Sequence, residues 1–242
     1  MSEPKIALVT GANKGIGYEI ARGLGLAGVT VLVGARDAHH GSVAVEKLAA
    51  EGITATALEL DVTDPGSVSA AAARIELAHG RLDILVNNAG ILLERGQRPS
   101  AMPVEVLERT FATNVHAVVR VTNALLPLLR RAPAGRIVNL SSGLGSLALT
   151  SDPDGPYAPF PLLAYNASKS ALNSVTVSYA NELRGTAIKV NAADPGYCAT
   201  DLNGHAGPRT PAQGAAVAVR LATLPDDGPT AGFFSEDGSE PW

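Results

Sequence analysis

Short apolar runs alternate with longer amphipathic stretches along the chain. "KIALVT" (Lys5 to Thr10) meets a glycine turn and then "GYEIARGLGLAG", which suits a helix. "TVLVGA" (Thr30 to Ala35) precedes a predicted helix from about Ser42 to Glu51. "TATALELDV" leads into "DPGSVSAAAARIELAHG", where Asp64 and Pro65 have the chemistry of a helix cap and a first helical position. "LDILVNNAG" is another buried run, followed by a long helical stretch from Pro103 to about Arg131 and then "GRIVNLSS". "LLAYNASKSAL" (Leu162 to Leu172) reads as helix, with no breaker among its alanines and leucines, and leads into "IKVNAADPG". A last helix from about Pro211 to Leu224 precedes "GFFSEDG". Near-continuous apolar strands separated by helices predict a parallel sheet covered on both faces. The expected fold is α/β, a doubly wound sheet in a single domain spanning 1–242.

One segment breaks the rhythm. From Gly143 to Pro161 the chain reads "GLGSLALTSDPDGPYAPFP", far longer than an ordinary connection of ~4–6 residues. It is read as an inserted loop forming a wall of a substrate site, with a surface insertion as the alternative. Composition narrows the classes. The 242 residues are 46% hydrophobic, enough for one sizeable core. With 19 basic and 23 acidic residues there is no basic stripe for nucleic acid and no basic amphipathic segment for a membrane surface. No apolar run reaches the ~18 residues of a membrane span, and the apolar stretch in "MSEPKIALVTG" is too short for a signal sequence. Cys198 is the single cysteine, which fits a reducing cytosol, so a soluble cytoplasmic protein is expected. No residues have metal-ligand spacing, and no metal is expected.

The first strand-to-helix junction carries "TGANKGIG", with Gly11, Asn13, Lys14, Gly15, Ile16 and Gly17 as the expected cofactor-binding turn. The spacing is G-x-x-x-G-x-G, not the commoner G-x-G-x-x-G, but the logic is shared. Small residues let the backbone approach a pyrophosphate and aim a helix N-terminus at its charge. The second strand ends "VLVGARD", where NAD enzymes usually place a carboxylate. Here Gly34 and Ala35 come first, and Arg36 follows. Arginine can pair bidentately with a 2′-phosphate and Lys14 could add a second cation, so NADP(H) is expected over NAD. Asp37 comes one residue late and is expected to point away. Further along, Tyr165 and Lys169 stand four apart on one helical face. A tyrosine beside a fixed positive charge gives up its proton more easily than its reference pKa of about 10 suggests. Alone, the pair also matches a solvated lysine beside a half-buried tyrosine.

"TGANKGIG", "NNAG" (Asn87 to Gly90), "NLSSGLG" and "YNASK", in this order, resemble the short-chain dehydrogenase/reductase family over essentially the whole chain. The glycine turn and the tail from "DPGYCATDL" to "GFFSEDGSEPW" look most like its monomeric carbonyl-reductase group. The resemblance implies a Rossmann-type fold and assigns roles position by position. Tyr165 would protonate a carbonyl oxygen as hydride arrives, and Lys169 would depress the tyrosine pKa and hold the nicotinamide ribose. Ser142 would hydrogen-bond the same oxygen, with Ser141 the neighbouring alternative, and Asn114 would hold a water in the proton relay. Asn88, Ala89 and Gly90 would line the adenosine ribose, and Asp61 and Val62 would contact the adenine. Pro195 and Gly196 would form a turn, with Cys198 to Thr200 meeting the nicotinamide amide and phosphates. The chain departs from the pattern between Ser142 and Tyr165, where the extra residues include Tyr157, a decoy without a lysine four residues on. The carbonyl-reductase group carries a longer insertion there, covering a helix face used for dimers elsewhere, so monomer and homo-oligomer both stay open.

The expected activity is therefore NADPH-dependent reduction of a small-molecule carbonyl substrate, a ketone, aldehyde or quinone. The same residues could serve an alcohol or hydroxysteroid dehydrogenase, and a non-catalytic NADP-sensing protein is the third reading. The substrate pocket is assigned to Ile91 to Arg98, Gly143 to Pro161 and Thr200 to Arg209. His39 and His40 read as a solvated loop, His205 as exposed, Cys198 as a packing residue, and Trp242 as either folded back or free.

Overall fold

The first apolar run becomes β1 (Ile6–Thr10), buried along its whole length. Its side chains alternate between two cores: Ala7 and Val9 enter one, Ile6 and Leu8 the other. That period of two is what a strand buried on both faces requires. The computed structural model describes residues 4–94 and 96–242. Met1 to Glu3 and Arg95, the latter inside the Ile91 to Arg98 stretch assigned to the pocket, lie outside the described residues.

The other strands are β2 (Thr30–Ala35), β3 (Ala55–Glu59), β4 (Ile84–Asn87), β5 (Arg136–Leu140), β6 (Lys189–Ala193), β7 (Phe233–Ser235) and β8 (Gly238–Ser239). The sheet order is β3-β2-β1-β4-β5-β6-β7-β8, parallel throughout except for the final β7–β8 pair. Helices α1 (Gly15–Leu26), α2 (Ala38–Ala50) and α8 (Pro211–Ala222) cover one face through Ile20, Leu24, Leu48 and Leu221. The other face is covered by α3 (Pro65–His79), α5 (Ala117–Leu129) and α7 (Leu163–Glu182), through Ile75, Leu125, Leu129 and Leu183. Each fully buried leucine contributes roughly 1.5–3 kcal/mol by leaving water. The chain winds outward from β1 to β3 and then returns to start β4 on the other side of β1. A crevice therefore opens beyond the carboxyl ends of β1 and β4.

Three boundaries differ from the sequence reading. Helix α2 starts at Ala38 because Asp37 caps it, accepting the His40 N–H at 2.9 Å. His39 and His40 therefore sit on an exposed first helical turn and not in a loop. The long helix from Pro103 is interrupted: α4 (Val104–Phe111) passes through a π turn (Ala112–His116) into α5. The Gly143 to Pro161 segment is partly ordered as a 3₁₀ turn (Gly143–Gly145) and α6 (Leu147–Thr150). Trp242 folds back: its ring stacks on Phe233 at 5.6 Å, and its carbonyl accepts the Ala148 N–H at 3.2 Å.

Candidate active site

The glycine turn lies at the mouth of the crevice, welded to the end of β4. Thr10 Oγ1 accepts the N–H groups of Asn88 and Ala89, each at 3.0 Å. Asn88 Nδ2 donates to the carbonyls of Thr10 at 2.8 Å and Gly11 at 3.1 Å. Gly11 and Gly15 have φ of 63° and 58°, a region that favours glycine. Gly17 is required for a different reason: a Cβ there would fall 2.4 Å from Asn88 Nδ2 and 2.5 Å from the Gly11 carbonyl. Asn13 and Ile16 belong to this turn and to the start of α1. The result is a bare backbone cradle at a helix N-terminus, which suits a pyrophosphate.

At the adenosine end, Arg36 is exposed and close enough to Asp61 to help hold its carboxyl below the usual range. The hydrogen bond from Thr63 to Asp61 is the larger cause. Val62 is buried, and its carbonyl accepts Arg120 at 3.1 Å. Asp37, occupied as a helix cap, leaves the phosphate position to Arg36. Lys14, the expected second cation, has its ammonium paired with Asp201, bridging the glycine turn to the loop after β6. In that loop, Gly196 has a φ of 70°, and Thr200 lies over the turn, 3.8 Å from where a Gly15 Cβ would be. The Cys198 thiol points inward instead, 3.2 Å from the Pro195 carbonyl and under Gly214, so its side chain packs and does not face the crevice.

The reactive groups gather where β5 ends and α7 begins. Ser142 caps the 3₁₀ turn, its Oγ accepting Leu144 N–H at 3.2 Å, and it lies near enough to the Tyr165 phenol to favour the phenolate. Ser141 is turned inward to Asn173 Oδ1 at 2.6 Å, which separates the two serines. Lys169 is buried, one turn along α7, with Nζ 2.7 Å from the Leu140 carbonyl and 5.6 Å from the Tyr165 ring centroid. Burial lowers its pKa to about 8, against the opposing pull of Asp194. The expected depression of the tyrosine pKa is not found. Burial first, and the Asp194 charge second, push the phenol above its ordinary value, with only the Ser142 hydroxyl acting the other way. The ammonium donates to the Leu140 carbonyl, and desolvation of the phenolate dominates. Asn114 lies in the π turn. Its Oδ1 accepts Ile91 N–H at 2.8 Å, and its Nδ2 donates to Ile91 O and Ser168 Oγ, each at 3.0 Å. Gly90 closes the group, its absent Cβ 3.4 Å from Asn114 Oδ1 and 3.8 Å from Lys169 Nζ.

Four residues of this site went unnoticed in the sequence. Glu94 is buried, and its carboxylate accepts the N–H groups of Ala164 at 3.0 Å and Tyr165 at 2.8 Å. Asp194, just past β6, is buried and accepts the Gly196 N–H at 2.9 Å. Asn87 and Asn139 are cross-strand partners joined at 2.9 Å, with Asn139 donating on to Thr176. Matching asparagines at the ends of two apolar runs were the available signal for that ladder. Tyr157 is no bystander either: its hydroxyl covers Gly143, and its pKa is pushed up to about 12 by burial and by Asp194 and Glu240. Phe160 meets Tyr197 at 5.7 Å between ring centroids, joining the inserted segment to the Pro195–Gly196 loop.

A sheet that opens a crevice at its switch point, with a bare glycine turn at its mouth and Ser142, Tyr165 and Lys169 on its rim, suits a dinucleotide-dependent oxidoreductase. The chain belongs to the short-chain dehydrogenase family, whose model matches residues 5–210. It is 35% identical to (-)-isopiperitenone reductase of Mentha piperita, over 96% of each chain. It is 34% identical to the NADPH carbonyl reductase 1 of Mus musculus, over 100% of this chain and 99% of the relative. The solved structure of salutaridine reductase from Papaver somniferum superposes with a TM-score of 0.80 at 31% identity, covering 96% of this chain and 99% of that one.

Proposed function

We propose that this protein is an NADPH-dependent carbonyl reductase with Tyr165 as the proton donor. The observation that carries the reading is the Lys169 ammonium 5.6 Å from the Tyr165 ring centroid on one face of α7, with Ser142 at the facing end of β5. The bare cradle at Gly11, Gly15 and Gly17 fits a dinucleotide pyrophosphate, Arg36 suits a 2′-phosphate, and Lys169 suits the nicotinamide ribose. NADPH supplies the hydride when bound.

The chain's own residues supply the rest. Ser142 and Tyr165 lie close to one another, and a carbonyl oxygen placed between them accepts from both hydroxyls. As hydride reaches the carbon, negative charge grows on that oxygen, where the two donors stabilise it most. Tyr165 then passes its proton to the oxygen. A phenol held above its ordinary pKa is protonated at neutral pH, the form that reduction requires. Lys169 lies over the Tyr165 ring and Asn114 bonds Ser168 beside it, which suits them to a relay that replaces the proton.

The inserted segment serves as a wall of the substrate pocket. Leu147, Phe160, Tyr197 and Leu202 expose apolar surface, and Leu92, Leu93 and Leu144 are partly exposed. That lining suits a hydrophobic ketone, aldehyde or quinone. A cytoplasmic location belongs to the same reading and rests on the free thiol of Cys198. The test is Tyr165→Phe, assayed by NADPH oxidation over a panel of activated carbonyl compounds. Turnover is expected to vanish while NADPH affinity is retained; surviving turnover would remove Tyr165 from the mechanism.

A further inference from the structure

Tyr165, Lys169 and Asn173 follow at four-residue intervals and draw one stripe along α7. The proposed reaction uses the first two and leaves the third without a part. Asn173 is 4% exposed, and both ends of its amide are engaged by the loop after β5. Its Oδ1 accepts the Ser141 hydroxyl at 2.6 Å, and its Nδ2 donates to the Gly145 carbonyl at 3.2 Å. The two contacts bracket Ser142 from either side. We propose that Asn173 is a positioning residue of this site, an amide clamp that fixes the Ser142 loop to the helix carrying Tyr165 and Lys169. The inference rests on the reductase reading and deepens it.

The same loop meets α7 at both of its ends. Lys169 Nζ donates to the Leu140 carbonyl at 2.7 Å, and Ser170 Oγ donates to the Gly145 carbonyl at 2.9 Å. A Cβ on Gly145 would fall 2.7 Å from the Lys169 carbonyl carbon, so the loop rests directly on the helix backbone there. Gly145 N–H in turn donates to the Ser142 carbonyl at 2.8 Å and closes the turn. Between these ends, Asn173 takes the Ser141 side chain, next to the reacting hydroxyl. A primary amide suits the task because one rigid plane carries both an acceptor and a donor. Buried and satisfied at both ends, it holds Ser141 and Gly145 at a fixed separation. The reaction needs the Ser142 and Tyr165 hydroxyls on one oxygen, and a misplacement of about 1 Å costs up to about 100-fold in rate.

Asn173→Ala removes both contacts and leaves Ser142, Tyr165 and Lys169 in the chain. The experiment is a double-mutant cycle: single-turnover carbonyl reduction and NADPH affinity in wild type, Asn173→Ala, Ser142→Ala and the double variant. Asn173→Ala is expected to lower the rate about tenfold or more, with NADPH affinity within about twofold of wild type. In the Ser142→Ala background the same change is expected to cost less than about twofold, because no hydroxyl is left to misplace. A merely structural role would cost the same factor in both backgrounds, so equal factors overturn the proposal. An unchanged rate in Asn173→Ala, or a loss of NADPH affinity as large as the loss of rate, also overturns it. Ser141→Ala breaks the clamp from the loop side and carries the same comparison should Asn173→Ala not fold; failure of both to fold would make the contact structural and overturn the proposal. No carbonyl reduction by the wild-type protein would remove the reductase reading and this inference with it, whereas an active wild type with equal factors removes the clamp alone.

Discussion

Replacing Glu94 by alanine takes the cap off the helix that carries the reactive tyrosine. Leu162, at the N-cap position of α7, offers no side-chain acceptor, so the first turn depends on a carboxylate 70 residues upstream. Glu94 is 5% exposed and accepts Ala164 N–H at 3.0 Å and Tyr165 N–H at 2.8 Å. A hydrogen bond to a charged group contributes about 1.5–3 kcal/mol, and a buried donor left without a partner costs about 1–3 kcal/mol. The two amides act on one carboxylate and some water will enter the gap, so we set the loss for Glu94→Ala at about 3 kcal/mol. In a domain of this length each kcal/mol moves the midpoint by about 2–4 °C, which gives a fall of about 6–12 °C. Glu94→Gln keeps one acceptor and turns an NH₂ toward the other amide, and should lie between. Thermal unfolding by circular dichroism reads the stability, and kcat and KM on the same preparation read the site. Because one of the two amides belongs to Tyr165, kcat is expected to fall about tenfold, equivalent to a barrier rise of about 1.4 kcal/mol. A midpoint within about 1 °C of wild type together with an unchanged kcat would refute the capping argument, since no partner at α7 would then have been lost.

Two further predictions test the cofactor cradle. Gly17→Ala would place a methyl 2.4 Å from Asn88 Nδ2 and 2.5 Å from the Gly11 carbonyl, so the turn must open. NADPH affinity by fluorescence titration is expected to drop about 100-fold, a cost of about 2.7 kcal/mol, and unchanged binding would exclude this turn as the pyrophosphate seat. Arg36→Ala should raise KM for NADPH about tenfold or more and leave NADH unaffected. Lys14→Ala should do less, because Asp201 already engages that ammonium; equal effects of Arg36→Ala on both cofactors would sink the phosphate assignment.

The strands and helices were legible because burial imposes a period, and caps were legible where their chemistry is local. Asp64 caps α3 as its position before Pro65 implied, accepting the N–H groups of Gly66 and Ser67. Asp37 shows the limit. After the second strand it reads as an acid near a ribose, yet His40 stands at the three-residue spacing a cap uses. Tyr157 was set aside for lacking a lysine four residues on, a test of helical neighbours only. Its real contact is Gly143, 14 residues earlier in the chain and reached by the fold of the inserted segment. The tyrosine pKa failed for a similar reason. Spacing placed Lys169 beside Tyr165, but no spacing announces that Leu140 takes the ammonium or that desolvation dominates at the phenol.

The two acids that organise the site were hidden in plain text. "ILLERG" reads as an apolar run ending in solvated charges, and "ADPG" reads as a turn, yet both acids are buried: Glu94 accepts the N–H groups of Ala164 and Tyr165, and Asp194 accepts that of Gly196. An ionised group is left in an apolar setting only where donors await it. In a doubly wound fold, the donors nearest to a strand's carboxyl end are the first amides of helices and turns beginning at neighbouring strands. The pattern is thus partly readable: an acid just past an apolar strand is a candidate cap for another segment's helix. Its partner is set by sheet order, which the local pattern does not contain. Here the partners close a loop of bonds. Asn114 holds Ile91 and Ser168, Ser168 holds the Tyr165 carbonyl, and Glu94 holds the Tyr165 amide. The stretch 91–94 is thereby fixed at both ends to α7, so a displacement of that pocket wall is carried directly to the tyrosine.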